Sequence, residues 1–282
     1  MRLAWATDIH LDFITDENDV DMSCRNLDTF CSLFEESDGI VLSGDISLAP
    51  FLKDHLLALE ERLSRPIYFV LGNHDFWFSN IASVRDAMTK LSNSSEYLKY
   101  LSVVPYVRLT KTVFLIGHDG WCDGLYGDAR HSSFVMNDWT RIKDFESFHT
   151  PFNENRINYD SILSVCRQQA TIATHHIATG IKALLSRKRV EKIIIATHVP
   201  PFTQPLDIAE SNKQNTYPWY SSKTMGDMLL SAANNNPSIQ FEILCGHCHV
   251  EYNDRITPNL LLRSGESKYS QPKPQLTFNV SI

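Results

Sequence analysis

The sequence predicts a layered α/β fold in which helices cover mixed β-sheets. Three observations lead there. Short, continuous apolar runs alternate with longer amphipathic ones over most of the chain. That alternation stops near residue 250, where three strand-like runs follow one another with turns between them. Five of the apolar runs end in Asp, His or Asn, at the sheet edge where open α/β folds place their ligands.

Strands are expected at Arg2–Thr7, Gly39–Ser43, Pro66–Leu71, Thr112–Gly117, Lys192–Thr197 and Gln240–Cys245. Most are apolar throughout rather than alternating, as in strands buried on both faces. Helices are expected between them at Ser23–Glu36, Phe51–Ser64, Asn80–Lys99, Tyr159–Arg187 and Ser221–Asn234. The closing runs, Val250–Ile256, Asn259–Arg263 and Gln275–Ile282, read as strands without intervening helices, which implies antiparallel pairing and a mixed sheet. No internal repeat or low-complexity segment is visible. Two irregular stretches stand out, an insert over about 118–158 and a loop over 199–220 that holds Pro200, Pro201, Pro205, Pro218 and Trp219. Stretches this long in a compact domain are usually functional or disordered, and both are expected to cap a substrate site. The 282 residues are within reach of one large α/β domain.

Composition narrows the function classes. Apolar residues make up 43% and charged residues 21%, ordinary for a globular protein, and no run approaches the roughly 18 apolar residues of a membrane span. The opening residues enter a strand directly and lack the pattern of a secretory leader, so a cytoplasmic protein is expected. The net charge is −7, with 26 basic against 33 acidic residues. A dedicated nucleic-acid binder usually shows the opposite balance, although a local basic groove is compatible with it. The basic cluster Arg187-Lys188-Arg189 falls at a helix end, where cations complement the dipole. The cysteines, Cys24, Cys31, Cys122, Cys166, Cys245 and Cys248, are too sparse for a disulfide framework.

The strand ends carry the chemistry. They read Thr7-Asp8-Ile9-His10, Ser43-Gly44-Asp45, Gly72-Asn73-His74-Asp75, Thr197-His198-Val199-Pro200 and Gly246-His247-Cys248-His249. Taken singly, each Asp or Asn is more often a turn former and each His a structural residue. Five such ends in one chain are hard to explain as independent turns. Glycine before Asp45, Asn73 and His247 allows tight backbone there. Carboxylates, imidazoles and one amide oxygen suit Mn²⁺, Fe²⁺ or Zn²⁺. One Asp that bridges two ions about 3.5–4 Å apart, flanked by other ligands, makes a two-metal site.

In order, D-x-H, G-D, G-N-H-D, a single His and G-H-x-H resemble the calcineurin-like metallophosphoesterase superfamily, with motifs from Asp8 to His249. The resemblance implies a four-layer α/β/β/α sandwich of two mixed sheets with a dinuclear centre at the sheet edges. It implies that Asp8, His10 and His249 bind one divalent ion, that Asn73, His198 and His247 bind a second, and that Asp45 bridges them. His74 would stand beside the leaving group as a proton donor, or stabilise charge on the phosphoryl oxygens. The implied activity is hydrolysis of a small phosphate mono- or diester by metal-bound hydroxide; a nuclease or cyclic-nucleotide phosphodiesterase of the same superfamily is the alternative.

Two non-enzymatic or redox readings compete. Cys245-Gly246-His247-Cys248 matches a C-x-x-C redox motif. Such a motif opens a helix near the start of a thioredoxin-like domain, whereas only 34 residues, read as strands, follow Cys248. His247 and His249, two apart, face one side in an extended segment, which leaves Cys248 on the other. A catalytically inactive scaffold is the third reading, against which the full set of ligand types counts. The sequence also departs from the protein phosphatases of the superfamily. Their G-D-x-x-D-R-G is here Gly44-Asp45-Ile46-Ser47-Leu48-Ala49-Pro50, so Leu48 and Ala49 replace an Asp and an Arg. That leaves His74 without a carboxylate partner at this place. Substrate contacts are expected from Asp119, after a strand, and from Arg141, which could grip a phosphate; Tyr217, Trp219 and Tyr220 either stack on substrate or pack their loop down.

Overall fold

Along β1 (Arg2–Ala6), Leu3 and Trp5 turn to one face of the sheet while Ala4 and Ala6 turn to the other. The same two-residue period divides β7 (Lys192–Ala196), where Ile194 and Ala196 face one layer and Ile193 and Ile195 another. Both faces are apolar because both are covered. The computed structural model describes residues 1–16, 18–148, 157–187, 189–208 and 213–280.

After β1 come α1 (Val20–Ser32), β2 (Gly39–Ser43), α2 (Ala49–Leu63), β3 (Ile67–Val70), α3 (Ile81–Ser94) and β4 (Leu98–Tyr100). Asp19 and Asn80 cap α1 and α3 by accepting backbone N–H groups of Met22 and Ser83, and Pro50 stands in the first turn of α2. β5 (Val107–Arg108) and β6 (Val113–Gly117) follow, then two short helices, α4 (Asp138–Arg141) and α5 (Lys143–Glu146), within the insert. The long α6 (Tyr159–Leu185) leads to β7, then α7 (Gln204–Ile208), α8 (Lys213–Tyr220), α9 (Lys223–Asn235), β8 (Gln240–Cys245), β9 (Tyr252–Thr257), β10 (Leu260–Ser264) and β11 (Leu276–Asn279).

Two mixed sheets result. One has the order β11-β1-β2-β3-β4, with β11 antiparallel to β1 and the rest parallel; the other has the order β5-β6-β7-β8-β10-β9. An apolar layer that includes Leu3, Trp5, Val41, Val70, Leu115, Ile194 and Leu244 joins the sheets face to face. α1–α3 and the insert cover one outer face, and α6 with α9 covers the other. This is the expected four-layer sandwich.

The boundaries differ in instructive ways. The helix expected over Asn80–Lys99 stops at Ser94, because the Ser95 hydroxyl accepts the Tyr97 and Leu98 N–H groups and turns the chain into β4. The two-residue strand β5 was not expected. Among the closing strands, β9 and β10 form the antiparallel hairpin, but β10 runs parallel to β8. The loop over 199–220 contains α7 and α8; residues 149–156 of the insert, 209–212 of this loop and the end of the expected last strand at 281–282 lie outside the described residues.

The layer between the sheets sets their spacing, so a cavity there should be felt. Ile194→Ala is expected to cost about 2–5 kcal/mol. Leu57→Ala, on an exposed position of α2, should change stability by no more than about 0.5 kcal/mol. Urea unfolding of both variants checks the contrast.

Candidate metal centre

β1, β2, β3, β7 and β8 all stop at one edge of the sandwich, and each stop turns a polar side chain inward. Several of these turns are left-handed: φ is 49° at Asp8, 40° at His10, 49° at Asp45, 70° at His247 and 52° at His249. Such backbone costs roughly 1–2 kcal/mol for an ordinary L-residue. Asp, Asn and His tolerate it better than most non-glycine residues, so the local geometry and the ligand chemistry select the same residue types. Backbone hydrogen bonds between the turns support them: Asp8 N–H donates to Gly44 O at 3.0 Å, His10 N–H to Asp45 O at 3.0 Å, and Gly246 N–H to His198 O at 2.9 Å. Gly72 and Gly246 are needed for space. A Cβ on Gly72 would lie 2.1 Å from Asp45 Oδ1, and one on Gly246 would lie 2.0 Å from Asp8 Oδ2.

The side chains form two adjoining groups. Asp8, His10, Asp45 and His249 bring one ligand atom each within 4.8 Å of one another. In this group His249 Nε2 lies 3.2 Å from Asp8 Oδ1, and His10 Nε2 lies 3.8 Å from Asp45 Oδ2. The other oxygen of Asp45, Oδ1, lies 3.4 Å from His198 Nε2. That imidazole belongs to the second group, in which Asn73 Oδ1 is 3.1 Å from His198 Nε2 and 2.9 Å from His247 Nδ1. Asp45 therefore presents one oxygen to each group. His74 stands at the rim, with Nε2 3.9 Å from Asp45 Oδ2 and its ring stacked on Trp77 at 3.6 Å.

Donor and acceptor roles decide what these groups can hold. His198 Nδ1 faces the carbonyl of Ser43 at 3.0 Å, and His247 Nε2 faces the carbonyl of Trp219 at 3.4 Å. A carbonyl only accepts, so the ring protons sit on those outer nitrogens. The inner nitrogens then offer lone pairs. Asn73 gives its amide N–H to Asp138 Oδ1 at 2.8 Å, which turns its carbonyl oxygen inward. Three acceptors thus converge with no proton to share, an arrangement that a cation resolves. Electrostatics agree. Burial, then the nearby Asp8 carboxylate, pushes Asp45 well above the usual carboxylate range. Burial holds the His10 and His247 imidazoles down to about 3, hence neutral and able to ligate. Burial also lowers His249, but its hydrogen bond to Asp8 and the charges of Asp8 and Asp45 together outweigh this and raise it. Among the described residues, only imidazoles face the Asp8 and Asp45 carboxylates in ion-pair geometry, so the donor set fits divalent ions.

The groups open onto a cavity of about 230 Å³ lined by Asp45, Asn73, His74, His247 and His249 and walled by Trp77, Phe134, Met136, Tyr220 and Tyr269. The insert and the 199–220 loop build one wall together, through the contact of Trp139 with Trp219. Trp219 packs the loop down, Tyr220 lies against His247, and Tyr217 bonds Asp207 away from the cavity.

Asp119, expected as a substrate contact, is corrected by the structure. It is 1% exposed, paired with Arg85 at 2.8 Å, and accepts from Tyr100, Ser102 and the Leu71 N–H. Its carboxylate is committed to the fold. Arg141 is half-buried with its guanidinium 4.2 Å from the Trp77 ring centre, beside the cavity. The thiol reading also fails on chemistry. Cys245 bonds the Arg263 carbonyl and Cys248 the Ser264 hydroxyl, and burial pushes Cys248 up to about 11 and Cys245 well above the usual thiol range.

Sequence reasoning missed the roles of three residues. Tyr269, from the segment before β11, places its ring 4.7 Å from that of His10. Asp138 lies in the stretch Asn137–Arg141 that the sequence places near the site, but nothing in the sequence gives it a task of its own. Asp75 lay inside the quoted Gly72–Asp75 motif, where the spacing assigns it no task. It is fully buried, and its carboxylate accepts N–H groups from Ile46, Ser47 and Gly72. It thereby ties the turn after β2 to the turn after β3.

Residues 1–251 match the sequence model of the family described as calcineurin-like phosphoesterase. No curated protein matches the chain at a significant level. Among solved structures, a phosphopantetheinyl hydrolase from Mycobacterium tuberculosis is 14% identical with a TM-score of 0.62, over 96% of this chain and 94% of its own. A dimetal phosphatase from Danio rerio is 13% identical with a TM-score of 0.57, over 98% of this chain and 91% of its own. At these identities the likeness is one of fold. Among the described residues, no helix is long and apolar enough to cross a membrane.

Asp75→Ala should leave up to three buried N–H groups without an acceptor, and a loss of roughly 2–5 kcal/mol is expected in chemical denaturation. Asp75→Asn, whose carbonyl oxygen can still accept from Ile46 and Ser47, should lose less. Equal stability of the Ala variant and the parent would remove the clamp from the account.

Proposed function

This chain belongs to the calcineurin-like phosphoesterase family, and we propose that it hydrolyses a small phosphate ester at a dinuclear metal centre. In this reading Asp8, His10 and His249 hold one divalent ion, Asn73, His198 and His247 hold the second, and Asp45 bridges them. The observation that carries it is the division of Asp45: Oδ1 faces His198 at 3.4 Å and Oδ2 faces His10 at 3.8 Å. Mn²⁺, Fe²⁺ or Zn²⁺ bound there would neutralise phosphoryl oxygens and bring the pKa of water near neutrality.

The chain's own residues do the rest. The turns hold seven ligand side chains before substrate arrives, so little reorganisation is left to the reaction. Trp77, Phe134, Tyr220 and Tyr269 give the ester an aromatic wall to lie against. His74 stands at the rim with Nε2 3.9 Å from Asp45 Oδ2, and in this reading its N–H serves the phosphoryl oxygens rather than the leaving group. The cavity, at about 230 Å³, supports a small mono- or diester over a nucleic-acid strand.

Asp45→Asn is expected to release both ions together and abolish turnover of a nitrophenyl phosphate ester. Metal content per chain, measured at saturating supply, tests this; two tightly held ions in the variant would exclude the bridge. For His74→Ala, both ions should remain and turnover should fall about 10²–10³-fold, the worth of one donor to a developing oxyanion. The deficit should be alike for aryl and alkyl esters. A deficit confined to the alkyl ester would instead make His74 the acid that protonates the leaving group.

A further inference from the structure

We propose that Asp138, on the insert, is a positioning residue that orients Asn73 toward the centre and fixes the plane of Trp77 against His74. The inference rests on the dinuclear reading above, because it concerns how one ligand is presented. Asp138 is 6% exposed and comes from α4, 65 residues beyond Asn73. Its Oδ1 accepts two hydrogen bonds, from Asn73 Nδ2 and from Trp77 Nε1, both at 2.8 Å.

Each bond removes an ambiguity. A carboxamide has a donating end and an accepting end of nearly the same shape. Turned the other way, Asn73 would point N–H groups at His198 and His247, and an N–H cannot ligate a cation. Asp138 Oδ1, which also accepts from Trp77 Nε1, takes the donating end and so selects the orientation with the carbonyl oxygen inward. Trp77 has a single hydrogen-bonding atom, its indole N–H. With that atom held, the ring lies 24° from the plane of His74 at a centroid distance of 3.6 Å. Arg141, also on α4, lies 4.2 Å from the same indole.

His74 needs this support. Its Nδ1 is buried and has no partner among the described residues. The residues after Asp45, Ile46-Ser47-Leu48-Ala49, carry no carboxylate that could take up Nδ1 and fix the imidazole. The stack on Trp77 takes over that task, and Asp138 anchors the stack. One carboxylate outside the ligand set therefore supports the second ion's ligand and the rim imidazole together.

The test is titration of the metal-free protein with Mn²⁺ or Zn²⁺ alone, by calorimetry or chelator competition. Asp138→Ala should weaken one of the two ions about 10–100-fold, the usual effect of removing a ligand's supporting partner, and leave the other unchanged. Asp138→Asn keeps an acceptor oxygen and should recover most of the affinity. If the Ala variant does not fold, Asp138→Glu decides, because it keeps the charge but moves the acceptor; it should weaken the same ion. Trp77→Leu should bind both ions normally yet lose turnover, and adding it to His74→Ala should cost little more than His74→Ala alone. Affinities for both ions within twofold of the parent in Asp138→Ala, or in Asp138→Glu where Ala fails to fold, would overturn the proposal while leaving the dinuclear reading intact. A parent protein that binds neither ion would overturn both.

Discussion

The apolar layer between the two sheets is the constraint on which the centre depends. Its side chains, Leu3 and Trp5 from one sheet and Ile194 and Leu244 from the other among them, hold the sheets at a fixed separation. That separation sets where Asp8 and Asp45, on one sheet, meet His198 and His247, on the other. The contacts across the gap are short and polar: His247 N–H to Asp8 at 3.0 Å and His198 to Asp45 at 3.4 Å. A thicker or thinner layer would open or crush them. The chemistry at the edge is thus a readout of packing in the middle.

The arrangement opposes itself electrostatically and conformationally. Two carboxylates are buried close together, two imidazoles turn ring nitrogens toward an amide oxygen, and five side-chain-bearing residues adopt left-handed backbone. Interactions beyond the ligands offset this: the Asp75 clamp on two turns, the carbonyls of Ser43 and Trp219 that orient imidazoles, and the Asp138 carboxylate behind Asn73. A cation that binds the folded chain alone adds its binding free energy to folding. Stability and occupancy of the centre are therefore linked quantities in this protein.

Most of the sandwich was legible in the sequence, because buried strands are apolar throughout and the covering helices are amphipathic. The gathering of the seven candidate ligands and His74 was legible for a related reason: they follow strands, and strands of such a sheet deliver their last residues to one edge. What escaped depended on distant partners. Asp119 follows β6 as Asp8 follows β1, yet Arg85 and Tyr100 claim it; nothing local marks that difference. Asp138 gains its role from Asn73 and Trp77, and Tyr269 from His10, all of them far away in the chain. The strand β4 was hidden because the helical pattern before it runs on, while the serine that ends it acts through its side chain.

The hydrogen bond from His247 to Asp8 spans 239 positions of the chain. Contacts this remote form late, since the loop they close must first be ordered by everything between. During synthesis, Asp8, His10, Asp45 and Asn73 leave the ribosome long before His247 and His249 exist. A nascent or truncated chain therefore carries only fragments of the centre and cannot assemble the full donor set. If the proposed dinuclear reading holds, capture of a pair of ions would signal that the chain has folded as far as His249.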